Sequence, residues 1–234
     1  MNKLKFIVRK LLYKNHYSND AYIRFLTRGG CKIGENTFFY SPNQKPVDET
    51  SLPFIEIGDN CRITDGVRIL AHDYSYAVLR RTHHTMLRKT GKTTIGNNCF
   101  LGINSIVLMN TTIGDNVIIG AGAVVSGTIP SNSVVAGNPG KVISTIDGNY
   151  NKLDSHFIDY ASCWFDMKKR SLGRNPSELE MGWFVVLWSS PNREDILRQL
   201  RVDGDNIEEV VSDCLQYEPK FASYADFCKY MESR

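Results

Sequence analysis

One histidine in this 234-residue chain stands where a regular hydrophobic pattern breaks off: His72, in Ile69-Leu70-Ala71-His72-Asp73-Tyr74. A neutral imidazole at such a break suits a general base working near pH 7. By residue type alone, a structural histidine hydrogen-bonded at a loop root is slightly the better reading. Asp73 follows directly, but adjacent residues of an extended chain point to opposite faces. It is therefore expected to bind substrate or shape the loop, and not to orient His72. His83 and His84 lie a little further on among Arg80, Arg81, Arg88, Lys89 and Lys92. That cluster reads either as a contact for sugar or cofactor phosphates or as a solvated loop. The only close histidine pair is adjacent and sits in a loop, a poor start for a metal site, so no metal is expected.

The elements that must position these residues announce themselves by spacing. Aliphatic residues recur at Ile95, Leu101, Val107, Ile113, Ile119 and Val125, and the same frame fits Ile33, Ile57, Ile63 and Ile69. A period of six is neither the 3.6 of a helix nor the 2 of a strand; it marks a solenoid of stacked coils. Four places after each aliphatic residue come Thr37, Cys61, Val67, Cys99, Ser105, Thr111, Val117 and Ala123, which share the inward face with the next aliphatic and predict a narrow interior. Three places after it come Asn36, Asn60, Gly66, Asn98, Asn104, Asn110, Asn116 and Gly122, the residue types that best tolerate positive φ. These are the predicted corners of a triangular coil with three short flat sides.

The hexads, together with the closing Ala136-Gly137-Asn138-Pro139-Gly140-Lys141-Val142, resemble the hexapeptide-repeat acyltransferases. The resemblance implies an all-β fold, a left-handed parallel β-helix, with helices added at each end. It implies acetyl-CoA as donor and a homotrimer in which His72 of one subunit faces a cofactor groove between it and the next. In the galactoside, maltose, xenobiotic and polysaccharide O-acetyltransferases the catalytic histidine stands just before the loop that rejoins the helix at an Ile-Gly-Asn-Asn hexad, here Ile95-Gly96-Asn97-Asn98. His72 is the base by that resemblance, with Asp73, His83 and His84 as substrate-binding candidates. The cofactor contacts it implies are Gly102, Ile103, Gly120, Ala121, Ser126, Pro139 and Lys141, the last for a phosphate. Two departures stand out: Phe100 replaces a frequent Trp, and Gly127-Thr128 replaces a frequent Lys-Asp. The γ-class carbonic anhydrases share the fold but need three well-placed histidines, which this chain lacks.

Composition sets the remaining bounds. With 42% hydrophobic and 23% charged residues the chain can bury a full core. Residues 1–149 carry 17 basic and 10 acidic side chains and residues 150–234 carry 11 and 15, an asymmetry that supports two structural parts. The basic excess suits a phosphorylated cofactor or an acidic glycan and is too diffuse for nucleic acid. The six cysteines show no CxxC pairing and read as buried free thiols. No run of about 18 apolar residues occurs and the start lacks a signal-peptide cleavage site, so a cytoplasmic location is expected.

The resulting division is a helical cap over 1–30, the β-helix over 31–146 with an excursion at 75–94, and a mainly helical extension over 147–234. The first segment has basic amphipathic spacing, which suits a cap on the open end of the solenoid or contact with an anionic membrane surface. An unrepeated insertion of about twenty residues in a solenoid is usually functional. In the extension, 153–167, 193–200, 206–215 and 224–231 read as helices, and 183–188 as a strand or a buried helical turn. The expected activity is acetyl transfer to a sugar hydroxyl of a bacterial surface polysaccharide or its precursor, without an acyl-enzyme. The alternatives are an amino-sugar or xenobiotic N/O-acetyltransferase and, from another class, a non-catalytic trimeric scaffold.

Overall fold

The computed structural model describes residues 3–188, 194 and 205–234. Its chain divides into two compact units, 1–149 and 150–234.

In the first unit the coils contribute short strands, of two to four residues, to three stacked parallel sheets, and the first coil meets the third sheet only through the Val47–Ile69 bridge. One sheet stacks β1 (Lys32–Ile33), β3 (Ile55–Ile57), β6 (Thr93–Ile95), β9 (Thr112–Ile113) and β12 (Thr128–Ile129). The second stacks β2 (Phe38–Phe39), β4 (Arg62–Ile63), β7 (Phe100–Leu101), β10 (Ile118–Ile119) and β13 (Ser133–Ala136), with β14 (Lys141–Thr145) added antiparallel at its edge. The third stacks β5 (Arg68–Ile69), β8 (Ile106–Val107) and β11 (Val124–Val125). Register follows the sixfold spacing: Ile63, Leu101 and Ile119 pair across the second sheet, and Ile69, Val107 and Val125 across the third. This arrangement fits the left-handed parallel β-helix.

Every hexad position behaves as its residue type requires. The aliphatic set from Ile57 to Val125 is buried, Ile33 is half-buried at the first coil, and all eight small residues are buried. All eight corner residues have positive φ, from 53° at Asn98 to 75° at Gly66. The corners also stack: the Asn98 side-chain amide donates to Asn116 Oδ1 and the Asn116 amide to Asn132 Oδ1, both at 2.9 Å. Such a ladder satisfies polar groups that the tight turns would otherwise leave unpaired.

The chain as a whole is mixed rather than all-β, because both flanks carry helical apolar spacing. Helix α1 (Lys3–Tyr13) leaves Ile7, Val8, Leu11 and Leu12 exposed. The cap is made by α2 (Asn19–Arg28), which starts where Ser18 Oγ accepts the Ala21 N–H. It buries Tyr22 and Leu26 completely in the solenoid core, and its Asn19 Oδ1 accepts the Phe39 N–H at 2.9 Å. The excursion holds α3 (Tyr76–His83) and closes early, because Thr90 already bridges back to His72 and Thr93 and Thr94 belong to β6. Its end thus lies before residue 94.

The second unit contains α4 from residue 150 onward (Ile146–Ser155), α5 (Phe157–Leu172), α6 (Ile207–Gln216) and α7 (Tyr224–Glu232). Ala161, Phe165, Met181, Leu187, Trp188 and Phe227 form its core. Of the two alternatives for 183–188 the helical turn is the one found: residues 183–187 end a 3-10 stretch, Glu178–Leu187, capped by Trp188, and Ser177 and Glu180 close a capping box at its start. Of the helix expected at 193–200 only residue 194 is among the described residues, and it is helical. The expectation of buried thiols holds for Cys31, Cys61 and Cys99 only. Cys163 is exposed and Cys214 and Cys228 are half-buried, because helix surfaces do not impose the inward position that the hexads do.

Candidate active site

His72 sits where the chain leaves the third sheet. Leu70 donates its N–H to Val107 O at 2.9 Å, the last ladder bond before the excursion. The excursion returns alongside its own root: Gly91 N–H donates to Ala71 O at 2.9 Å, Asp73 N–H to Lys89 O at 3.4 Å, and His72 pairs antiparallel with Thr90. In the preceding coil, the irregular segment between β2 and β3 runs parallel to the same strand. Ile69 N–H donates to Pro46 O at 2.8 Å and Asp48 N–H to Ile69 O at 2.9 Å. This segment is pinned from the cap, since Val47 N–H donates to the buried Tyr22 hydroxyl at 3.2 Å.

That register brings Asp48 against His72. Asp48 Oδ2 and His72 Nδ1 form a short hydrogen bond, with the two side chains only 5% and 11% exposed. The Thr50 hydroxyl lies 3.2 Å and the Ser51 hydroxyl 3.4 Å from the same nitrogen. Burial works against the Asp48 charge, but donors from the Thr50 hydroxyl, His72, the Thr50 N–H and the Ala71 N–H outweigh it and hold its carboxyl below the usual range. An ionised carboxylate on Nδ1 fixes the proton there and leaves Nε2 as the basic nitrogen. Asp73 plays no part in this: its carboxylate accepts the Ser75 N–H at 3.0 Å and the Ser75 hydroxyl at 2.6 Å, closing the turn into α3.

Two clefts meet at His72. One, of about 350 Å³, is lined by Lys45, Asp48, Arg68, Leu70, Asp73 and Tyr74 among others. The second, of about 220 Å³, is lined by Tyr74, Tyr76, Met86 and Arg88. His83 and His84 line neither; His83 ends α3 beside the Thr82 hydroxyl at 2.8 Å, and His84 adopts φ 51° at its C-cap. A larger concavity of about 730 Å³ lies on the outer face of the second sheet, lined by Arg62, Phe100, Ile118 and the asparagine corners. It contains no histidine.

The residues expected to hold a cofactor fall at two different corners. Gly102, Ile103, Gly120 and Ala121 form a column where the second sheet turns into the third, and Gly122 N–H donates to Ile103 O at 2.8 Å along it. Ser126 lies across the third sheet, in the column of Leu70 and Leu108, and is exposed. Lys141 is exposed on β14, and Pro139 follows a cis peptide bond. Gly102 is demanded by coil stacking, since a Cβ there would sit 2.7 Å from Ala121 N. At Gly122 and Gly127 a Cβ would meet nothing within 4 Å, so both corners are open to a narrow arm. Among the described residues no three His, Cys, Asp or Glu side chains group in a way that could hold a metal ion.

Residues 92–127 match the family described as Bacterial transferase hexapeptide (six repeats). Over 143 residues the chain is 37% identical to Protein CapG of Staphylococcus aureus, covering 61% of this chain and 79% of that protein. The chain belongs to the hexapeptide-repeat acyltransferases. It is also 37% identical over 135 residues to galactoside O-acetyltransferase of Escherichia coli (strain K12), covering 55% of this chain and 59% of that enzyme. A maltose O-acetyltransferase structure from Clostridium difficile 630 shares 24% identity over 61% of this chain and 85% of its own, with a TM-score of 0.40.

For a hexapeptide-repeat acyltransferase the informative residue that sequence reasoning missed is Asp48. It sits in the proline-broken coil, where the sixfold frame assigns no face to any position. Val47 pairs with Ile69 across 22 residues instead of the 18 of three hexads, so no count along the frame points to residue 48.

Proposed function

We propose that this acyltransferase moves an acetyl group from acetyl-CoA to a sugar hydroxyl, with His72 as general base and Asp48 as its positioning residue. The observation that carries the reading is the Asp48–His72 pair at the root of the excursion. Nε2 accepts the proton of the acceptor hydroxyl as its oxygen attacks the thioester carbonyl. The resulting imidazolium is balanced by the Asp48 carboxylate through Nδ1–H. The negative charge that develops on the carbonyl oxygen needs a hydrogen-bond donor, most economically a backbone N–H of a neighbouring coil. When the oxyanion collapses, the carbon–sulfur bond breaks and the coenzyme thiolate takes up the proton from Nε2. No covalent enzyme intermediate is involved.

Acetyl-CoA would run along the open corner columns, with Gly102, Ile103, Gly120 and Ala121 against the pantetheine, Ser126 and Pro139 nearby, and Lys141 on a phosphate. His72 and the Gly102 column occupy opposite edges of the third sheet. A homotrimer that sets His72 of one subunit beside the column of the next resolves that separation. The acceptor is a sugar of a bacterial surface polysaccharide or its precursor, reached in the cytoplasm. Asp73 shapes the acceptor side, and His83 and His84 on the excursion rim contact parts of the acceptor remote from the reacting hydroxyl.

Incubation of the wild type and His72→Ala with acetyl-CoA and a panel of glycosides, following free thiol and product mass, tests the reading. The wild type is expected to release thiol and add one acetyl group, and His72→Ala to lose at least about three orders of magnitude in rate while keeping its oligomeric state. Near-normal turnover by His72→Ala would remove the histidine from the mechanism.

A further inference from the structure

His72 bridges Thr90 antiparallel and Asp73 N–H donates to Lys89 O; continuing that register one step sets Tyr74 across from Arg88, and residues two apart on such a ribbon share a face. His72, Tyr74 and Arg88 therefore stand together on one side of the excursion root, and they do line one cleft, with Tyr76 and Met86. Tyr74 meets the His72 ring edge-on at 5.1 Å between centroids, lies 5.8 Å from the Tyr76 ring and is 64% exposed. Exposed tyrosines at this separation offer an apolar surface to the C–H face of a sugar ring while leaving their hydroxyls wet. The only side chain in the cleft with a fixed charge is Arg88, which is exposed and makes no ion pair with a carboxylate among the described residues. Of the two cations in the neighbouring cleft, Lys45 already lies 3.6 Å from Glu49, while Arg68 is exposed and donates to the Val67 carbonyl at 3.0 Å, so Arg88 is set apart by sharing its cleft with the tyrosine pair.

Resting on the acetyl-transfer reading, we infer that the acceptor is an anionic sugar whose acidic group is held by Arg88 while its ring lies on Tyr74 and Tyr76. A guanidinium presents a planar fork that matches a carboxylate or phosphate with two parallel hydrogen bonds. On an antiparallel ribbon, diagonal neighbours such as His72 and Arg88 lie about 7–8 Å apart. That is the scale of one sugar ring, so an acidic group and a reacting hydroxyl of the same residue reach both. The neutral Tyr74, Tyr76 and Met86 walls would not repel the anion. The unrepeated excursion thereby acquires a function that the coils do not need: it carries the selectivity for the acceptor.

The test compares the methyl glycoside of a uronic acid, the corresponding neutral methyl hexoside, and the hexose 1-phosphate as acceptors for the wild type, Arg88→Gln and Arg88→Lys. The wild type is expected to show kcat/KM about 10- to 100-fold higher for at least one anionic acceptor than for the neutral one, a preference that falls with added salt. Arg88→Gln should lose this ratio, mainly through KM. Arg88→Lys should restore it more fully for the phosphate than for the carboxylate, which separates the two sources of charge. A wild-type ratio near one, or an undiminished ratio in Arg88→Gln, overturns the inference. Binding of the same three sugars to His72→Ala and to His72→Ala/Arg88→Gln, read by ligand-observed NMR, separates this claim from the transfer reading. If no sugar is acetylated but the anionic sugar binds only where Arg88 is present, the acceptor site stands and the transfer reading falls. If neither anionic sugar binds in preference to the neutral one, the acceptor site falls whatever the enzyme turns over.

Discussion

Replacing Asp48 by Asn tests the pair at the heart of the site with almost no change in shape. Asp48 Oδ2 accepts from His72 Nδ1 and, at 3.2 Å, from the Ala71 N–H; Oδ1 accepts from the Thr50 hydroxyl at 2.7 Å and the Thr50 N–H at 3.1 Å. Every protein partner of both oxygens acts as a donor in this network. An amide must therefore turn its NH₂ towards Thr50 to keep oxygen on His72, which preserves the tautomer but removes the charge. The imidazolium formed in the transition state then loses a contact ion pair. At an effective dielectric of about 20, such a pair is worth up to about 4 kcal/mol at 4 Å. With some of that recovered from the amide dipole, a loss of about 2–4 kcal/mol gives a fall of about 30- to 1000-fold in kcat/KM. The assay is thiol release from acetyl-CoA with a productive glycoside, alongside a thermal midpoint to confirm folding. A variant that folds normally and stays within about threefold of the wild type would refute the positioning argument.

Two further outcomes follow from the same geometry. Gly102→Ala drives a Cβ to within 2.7–2.9 Å of Ala121 N, Ile119 O and Gly120 C, so the coils must separate and the thermal midpoint should fall sharply. Gly122→Ala meets no atom within 4 Å and has only its φ of 68° to accommodate, so it should cost about 1–2 kcal/mol; equal effects of the two would contradict the stacking argument. In the second unit, two hydrogen bonds from Arg174, followed by the Ser177 N–H and hydroxyl, hold the Glu180 carboxyl down to about 2. Since the unfolded value is about 4.3, its stabilisation is complete above that pH and is lost as the pH falls towards about 2. The difference in thermal midpoint between the wild type and Glu180→Gln should therefore shrink from pH 5 to pH 2.5, and a constant difference would dismiss the linkage.

The repeat made most of the first unit legible because three independent demands coincide in each hexad. Ile119 must be inward, Val117 small and Asn116 left-handed, and stacked six-residue sides meet all three demands at once. His72 was legible by its place at the end of that order. Asp48 was not, because Pro42, Pro46 and Pro53 break the frame in the coil that carries it, and facing cannot be counted through irregular backbone. Arg88 was visible as one cation among several; only the antiparallel return of the excursion distinguishes it from Arg80 and Arg81 on α3. The cap expected over 1–30 is made by α2, which buries Tyr22 and Leu26 and packs Ile23 and Phe25 against the core, whereas α1 leaves Ile7, Val8, Leu11 and Leu12 exposed. Exposed Cys163 illustrates the same limit, for a thiol is drawn inward by the repeat and not by residue type.

Transfer of acetyl from acetyl-CoA to a sugar hydroxyl, followed by product mass in the wild type and His72→Ala, bears most directly on the central claim. The wild type is expected to add a single acetyl group with equimolar thiol release, and a correctly folded His72→Ala to do neither. Acetylated product formed at comparable rates by both proteins would contradict it.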